Sequence, residues 1–313
     1  MRADVDTRIR VLLAYFGSEC VVRDLTPDEV ASYSSARRAG GIEVVDCDER
    51  WITKAVRARS VVADLAVLHG MLNWALSRRE LGARLLDANP IAGVRVRRDS
   101  HPRRRISTWD RFTATREAMQ GRAAAASVGV ERDRWVKAEL ALVLAEGTGR
   151  RLGAIRQLRW EDVDWDRATI RWRAESDKRR KEWLLPVPAT LLQDLRSFQR
   201  RLGALGGWML VSGNDPSAAM DRHTLAGCLE AAEAAAGLPK LDGGLFHPYR
   251  RKWATERKDR PLSDVAAAGG WQNTATLLTC YQQPTTDALL AVMNEPWKMR
   301  DVAAVGGSPA RNG

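Results

Sequence analysis

Apolar residues recur along most of the chain at helical rather than strand spacing. Leu65, Leu68, Leu72 and Leu76, with Val62, Trp74 and Ala75 beside them, predict an amphipathic helix from about Ser60 to Leu81. Arg8 to Phe16 follows the same pattern, and Thr26-Pro27-Asp28-Glu29 supplies a cap, an N1 proline and first-turn acids ahead of Val30 and Ala31. The chain up to Val94 therefore reads as all-helical, with Asn89-Pro90 as a helix stop. Further on, Thr108-Trp109-Asp110-Arg111 opens a helix, and Val136, Leu140, Val143 and Leu144 mark another that ends near Gly147-Thr148-Gly149. Leu225 to Ala236 and Leu289 to Met293 predict two more.

One stretch alternates instead. Ile170 and Trp172 interleave with Thr169, Arg171 and Arg173, and Trp183, Leu185 and Val187 alternate again before Pro188, which predicts a hairpin. Its tip, Glu175 to Glu182, holds Lys178, Arg179, Arg180 and Lys181, a cationic finger on a small sheet. The fold class is mainly α with one small antiparallel sheet.

At 313 residues the chain exceeds one ordinary core, so two domains are expected. Charge locates the junction. The chain carries 50 Lys plus Arg against 39 Asp plus Glu, a net +11, and a pI near 10.0, which points to a polyanionic partner. Residues 1–94 are formally neutral. Arg95, Arg97, Arg98, Arg103, Arg104 and Arg105 crowd into eleven residues with Asp99 as the only acid. The expected organisation is a helical domain over 1–94, a basic linker over 95–107, a second domain over 108–296 and a flexible tail over 297–313.

Several classes are excluded by what the chain lacks. There is no run of eighteen apolar residues to span a bilayer, and Asp4, Asp6, Arg8 and Arg10 interrupt any signal-peptide core. Cys20, Cys47, Cys228 and Cys280 are widely separated and form no C-x-x-C pair, so they read as reduced thiols rather than a disulfide framework or zinc knuckle. A cytoplasmic, nucleoid-associated protein is expected.

Three segments carry candidate chemistry. Thr148-Gly149-Arg150-Arg151 leads into Leu158-Arg159-Trp160-Glu161-Asp162-Val163-Asp164; Phe246-His247-Pro248-Tyr249-Arg250-Arg251-Lys252-Trp253-Ala254-Thr255 follows; Gly269-Gly270-Trp271 precedes Tyr281 by ten residues. In this order they resemble the three boxes of the tyrosine recombinases, or phage integrases. The resemblance runs over roughly Val136 to Met293, and more loosely over Val5 to Pro90 as that family's helical, SAM-like core-binding domain.

The resemblance implies six catalytic residues: Arg151, Lys178, His247, Arg250, Trp271 and the nucleophile Tyr281. Lys178 lies eight residues before Pro186, as the family's lysine does before its strand-end proline, with Lys181 as its competitor. It further implies site-specific recombination through a covalent 3′-phosphotyrosine without metal, ATP or other cofactor, in integration or excision of a mobile element. The partners it implies are double-stranded DNA at paired sites and a tetramer of this chain. The phosphate contacts expected are Arg95, Arg97, Arg98, Arg103, Arg104, Arg105, Arg179, Arg180, Lys181, Arg251 and Lys252, with the two domains closing on duplex DNA as a clamp. Because the core-binding pattern begins almost at Met1, no arm-binding domain is expected. Leu289, Leu290, Val292 and Met293 suit a helix that packs either in cis or on a neighbouring protomer.

The residue types suit the chemistry independently of any family. Two guanidinium forks would stabilise the extra negative charge of a pentavalent phosphorus as a metal otherwise would, and a lysine can protonate the departing oxygen. Two departures stand out: Ala154 occupies the place of a family acid, and Trp271 that of a more common histidine. They leave open a DNA-binding regulator with a weakened site, beside a type IB topoisomerase that would share the chemistry.

Overall fold

The computed structural model describes residues 2–45, 49–80, 83–96, 104–176, 181–241 and 244–294. The chain divides into two compact units, Met1–Pro102 and Arg103–Gly313, a division that falls inside 95–107.

The first unit packs α1 (Arg2–Phe16), α2 (Pro27–Ala39) and α3 (Ala58–Ser77) around Val11, Val30, Tyr33, Val61, Leu65, Leu68, Leu72 and Ile91. Thr26 caps α2 as its sequence indicates: its hydroxyl accepts from the Glu29 amide at 3.3 Å while the Glu29 carboxylate accepts from the Thr26 amide at 2.8 Å. Asp64 is buried on α3, where it is held by Arg8 at 2.5 Å, Arg37 at 3.1 Å and the Tyr33 hydroxyl at 3.0 Å. Burial and the Asp64 charge push the Tyr33 phenol well above its usual pKa. By length and composition alone α3 could cross a membrane, but it carries this triply bonded carboxylate and lines the core of the unit.

The unit is not all-helical. β1 (Glu43–Val45) pairs antiparallel with β2 (Arg50–Ile52), and β3 (Arg79–Glu80) with β4 (Ala83–Arg84). The strands are too short to display a period-2 pattern, which is why alternation does not reveal them. The second hairpin also ends α3 at Ser77, short of Leu81, because Arg78 is already extended at φ −104°, ψ 148°. Asn89-Pro90 opens a turn rather than ending a helix, and the Asn89 side chain accepts from the Ile91 amide at 3.1 Å.

In the second unit, α4 (Trp109–Ala125) is capped by the Thr108 hydroxyl, which accepts from the Arg111 amide at 3.1 Å. α5 (Gly129–Thr148) is buried along most of its length and forms the axis of the unit, consistent with its lack of a polar face. After the short α6 (Leu152–Ile155), β5 (Val163–Asp164), β6 (Thr169–Trp172) and β7 (Trp183–Pro186) form an antiparallel sheet in which Ile170 faces Leu185 and Trp172 faces Trp183. There follow α7 (Ala189–Arg201), α8 (Arg222–Ala235), α9 (His247–Glu256), α10 (Leu262–Gly269) and α11 (Thr274–Cys280), then a helical segment over 286–294. A small separate core of Trp253, Ala254, Val265, Ala266, Trp271 and Leu277 sits where the last three named helices meet.

Candidate active site

The first motif marks the end of α5. Gly149 closes that helix in the left-handed region at φ +63°, and a Cβ there would overlap the Trp253 indole, so both backbone and packing demand glycine. The two arginines that follow diverge. Arg150 turns inward and is 5% exposed; Arg151 stays exposed and donates from Nη1 to the Gly270 carbonyl at 3.0 Å.

The second motif begins α9, with Pro248 in the first turn. Most of this charged helix is buried. Tyr249 is anchored by its hydroxyl to Glu233 at 2.9 Å and Thr115 at 3.2 Å, and Arg111 grips the same carboxylate at 3.0 and 2.6 Å. This fixes the rotation of α9 and thereby the direction of Arg250. Arg250 is 1% exposed and donates from Nη1 to the carbonyls of Gly149 and Gly269. Its Nε and Nη2 are buried without an acceptor. Burial, and then the neighbouring Arg151, push its guanidinium down to about 9, leaving it charged at neutral pH. A buried cation with two donors free of a protein acceptor has the chemistry to bind an anion.

The third motif supplies the remaining groups. α10 ends at Gly270 in the left-handed region, and Trp271 follows with its ring 6.0 Å from Trp253, stacked at 22°. Its Nε1 is also buried without an acceptor. Tyr281 follows α11, half-buried, with its ring 4.9 Å from Trp271 and 6.3 Å from His247. The Arg250 guanidinium carbon lies 3.5 Å from the Trp271 centroid and 5.1 Å from that of Tyr281. Thr255 donates to the Tyr281 carbonyl at 3.1 Å, and Gln283 donates to the Arg104 carbonyl at 2.6 Å.

Arg151 and His247 line a cleft of about 520 Å³ with Trp172, Lys181, Arg222 and His223. His247 keeps an exposed edge at the mouth of the cleft; crowding of the ring by protein atoms, reinforced by the charges of Arg250, Arg251, Arg151 and Arg104, pushes its imidazole down to about 4. At neutral pH it is uncharged and has a lone pair to offer.

Arg151, His247, Arg250, Trp271 and Tyr281, contributed by three separate segments, thus come together. Lys178, Arg179 and Arg180 lie outside the described residues, as do Arg97, Arg98 and Arg103. Lys181 lies at the cleft with its ammonium 4.2 Å over the Trp183 ring. Arg95, Arg104 and Arg105 are exposed.

Two of the expected phosphate contacts are corrected. Lys252 is 4% exposed, and its ammonium is held by Glu146 at 2.7 Å and Glu256 at 2.8 Å. Arg251 is buried and spends Nε and Nη2 on the Arg105 carbonyl at 3.1 and 3.0 Å. Both therefore act within the protein. Sequence reasoning also passed over Arg150, Trp253, His223 and Gln283. Only the adjacency of Arg150 to Arg151 could have drawn attention to the first of these.

A helical unit with a three-stranded sheet, in which two arginines, a histidine and a tyrosine from three separate segments are brought together beside a cleft that Arg151 and His247 line, defines a protein of the integrase class. The Phage integrase family model matches residues 126–287, and the chain belongs to that family. The Pseudomonas syringae protein named "Putative tyrosine recombinase XerC" is 25% identical over 303 residues, 90% of this chain. The chain spans 57% of the length of that relative. Among solved structures, a lambda integrase dimer bound to a COC′ core site aligns with a TM-score of 0.66 at 17% identity, over 90% of this chain and 71% of that one. The Tn1549 transposon integrase in complex with circular intermediate DNA aligns at 0.63 and 13% identity, over 92% and 91%. These structural likenesses show the fold.

Proposed function

We propose that this chain is a site-specific DNA recombinase in which Tyr281 is the nucleophile. The Tyr281 oxygen attacks the phosphorus, the bond from phosphorus to the 5′ oxygen breaks, and a 3′-phosphotyrosine and a 5′-hydroxyl result. The tyrosine proton passes to the neutral His247 imidazole, whose basicity rises as the phosphate brings negative charge beside it. Arg250 offers Nε and Nη2, and Arg151 its remaining donors, to the non-bridging oxygens; Trp271 adds one N–H. The proton for the 5′ oxygen comes from Lys178, the residue that the integrase resemblance assigns to that step. Because the phosphotyrosine conserves a phosphodiester-like bond, a 5′-hydroxyl of another strand reverses the step and completes exchange without ATP.

The observation that carries this reading is the buried Arg250, its unused donors lying within one ring's breadth of Tyr281. The partners proposed are paired duplex DNA sites and three further copies of the chain. Arg95, Arg97, Arg98, Arg103, Arg104 and Arg105 are proposed to contact phosphate, so affinity falls steeply with salt. The proposed setting is the bacterial nucleoid, where the enzyme moves a mobile element.

A pool of duplexes with randomised sequence, each nicked in one strand so that the cleaved end diffuses away, tests this directly. Recovery of DNA covalently bound to Tyr281 is expected. Binding without any adduct would instead favour the regulator suggested by Ala154, and relaxation of plasmid by a monomer would favour a topoisomerase.

A further inference from the structure

The carbonyl end of α10 is unusual in how its lone pairs are used. A helix leaves its last carbonyls without intrahelical donors. Here the Trp271 amide returns to Ala266 at 2.8 Å and the Gly270 amide to Ala267 at 3.2 Å, the two bonds of a Schellman ending. The carbonyls from Ala267 to Gly270 then each receive a guanidinium. Arg150 donates from Nη2 to Ala267 at 3.0 Å and from Nε to Ala268 at 2.8 Å. Arg250 takes Gly269, and Arg151 takes Gly270. Three arginines from two motifs are thus registered against one helix terminus, whose dipole presents negative charge to them.

Among the described residues, neither Arg151 nor Arg250 has a carboxylate partner. The position where the integrase resemblance places an acid is Ala154, on α6. Something else must orient the two guanidiniums, and the α10 carbonyls are the acceptors that both of them use. Arg150 is the arginine that touches this terminus from inside. It is buried, bonded to two successive carbonyls, and stacked with its guanidinium carbon 4.9 Å over the Trp172 ring, which is itself 2% exposed in the core. Gly270 has no Cβ where Arg150 Nη1 passes; any side chain there would overlap it.

Building on the recombinase reading, we infer that Arg150 is a positioning residue: by locking the carbonyl end of α10 it sets the direction of Arg151, Arg250 and Trp271, taking the place of the acid absent at Ala154. Arg150 acts through these carbonyls: Nε and Nη2, two separate atoms of a rigid fork, bridge Ala268 and Ala267, and a lysine, whose donors all sit on one nitrogen, does not reproduce that geometry.

The test uses the full-length chain and the randomised nicked-duplex pool. Three quantities are measured for each protein: the single-turnover rate of adduct formation at saturating protein, affinity for the unnicked pool, and the thermal midpoint. Arg150→Met is expected to slow the adduct on the order of 100-fold, the scale of a misplacement of about 1 Å, with affinity within about twofold of wild type. Arg150→Lys should be nearly as slow. Adding Ala154→Glu to Arg150→Met should recover part of the rate, since a carboxylate would again orient the guanidiniums; a residue with a merely structural role would not be rescued this way. Arg150→Gln, uncharged but still a donor, is the milder variant if Arg150→Met fails to fold. A wild-type rate in any folded variant at position 150 overturns the inference. So does a slowed variant that Ala154→Glu fails to speed, and so does loss of folding in both the Met and Gln variants, which would make Arg150 purely structural. If wild type itself yields no adduct, the recombinase reading fails instead, and the two failures are distinct.

Discussion

The Arg250 guanidinium carbon lies 5.1 Å from the centroid of the Tyr281 ring, with the Trp271 indole packed against both. In the proposed step, a buried cation with spare donors at that distance is placed to hold the phosphate oxygens while the Tyr281 oxygen meets the phosphorus. Tyr281→Phe keeps the ring and its packing but removes the oxygen. It should retain wild-type DNA affinity and thermal midpoint while forming no covalent adduct on denaturing gels. An adduct that persists in this variant, or that maps to Tyr249, would reject the assignment.

Arg250→Lys is a sharper test of geometry than of charge. An ammonium at that position has three donors on a single nitrogen, whereas Arg250 bonds two carbonyls from Nη1 and keeps Nε and Nη2, spread across a planar fork, in reserve. Losing transition-state donors of this kind costs on the order of 100- to 1000-fold in rate. Adduct formation should fall by at least the lower figure, and DNA affinity, proposed to rest on many phosphate contacts, should barely change.

Much of this site was legible in the sequence, and the reasons are local. Gly149 and Gly270 stand where left-handed backbone and close neighbours permit no side chain, so a glycine sits in the sequence immediately before Arg150 and Trp271 and two positions before Arg151. What was not legible depends on contacts between distant segments. Lys252 reads as a surface cation beside Arg250 and Arg251, and only the fold brings Glu146 up from α5 to neutralise it. Arg150 and Arg151 are indistinguishable as letters, and the twist of the backbone after Gly149 decides which one is buried. The two small hairpins of the first unit escaped because pairs of two or three residues have no period to read.

The His247 imidazole has a definite pH signature in the protein without DNA. Its pKa is pushed down to about 4 from an ordinary value of 6.5, so between those values the unfolded chain binds a proton that the folded chain refuses. The stability contributed by keeping His247 neutral is present above pH 6.5 and is lost as pH falls towards 4. The thermal midpoint of wild type should therefore drop over that window by more than that of His247→Gln, which has no proton to gain. Parallel curves for the two proteins would show that the ring is not desolvated.

Gln283 ties the irregular segment after Tyr281, the proposed nucleophile, to the basic segment at the start of the second unit. Its amide donates to the Arg104 carbonyl at 2.6 Å, while Thr255 holds the Tyr281 carbonyl from the other side at 3.1 Å. Gln283→Ala removes one neutral hydrogen bond, a loss of about 0.5–1.5 kcal/mol, without opening a core cavity. If that bond holds Tyr281 in its attacking position, the adduct rate falls roughly two- to tenfold, with the thermal midpoint lowered by no more than a few degrees. An unchanged rate would mean that Thr255 alone suffices.

The stability of the second unit should depend on a buried ion pair. Arg111 on α4 and Glu233 on α8 are both buried and joined at 3.0 and 2.6 Å, and Glu233 also accepts from the Tyr249 hydroxyl on α9. Removing one partner strands the other charge away from water, which costs about 3–5 kcal/mol. Arg111→Met alone and Glu233→Leu alone should each lower the unfolding free energy by that amount in urea titrations. The double variant should recover much of the loss, because it leaves no uncompensated charge and only the Tyr249 hydroxyl without its carboxylate. That lost anchor matters for function, because Thr115 alone then holds the hydroxyl. Tyr249 adjoins Arg250 on the same helix turn, so the double variant, although refolded, should still form adduct more slowly than wild type. If stability and rate recover together, the network serves the core alone; if stability recovers and rate does not, the Glu233–Tyr249 bond sets the aim of Arg250.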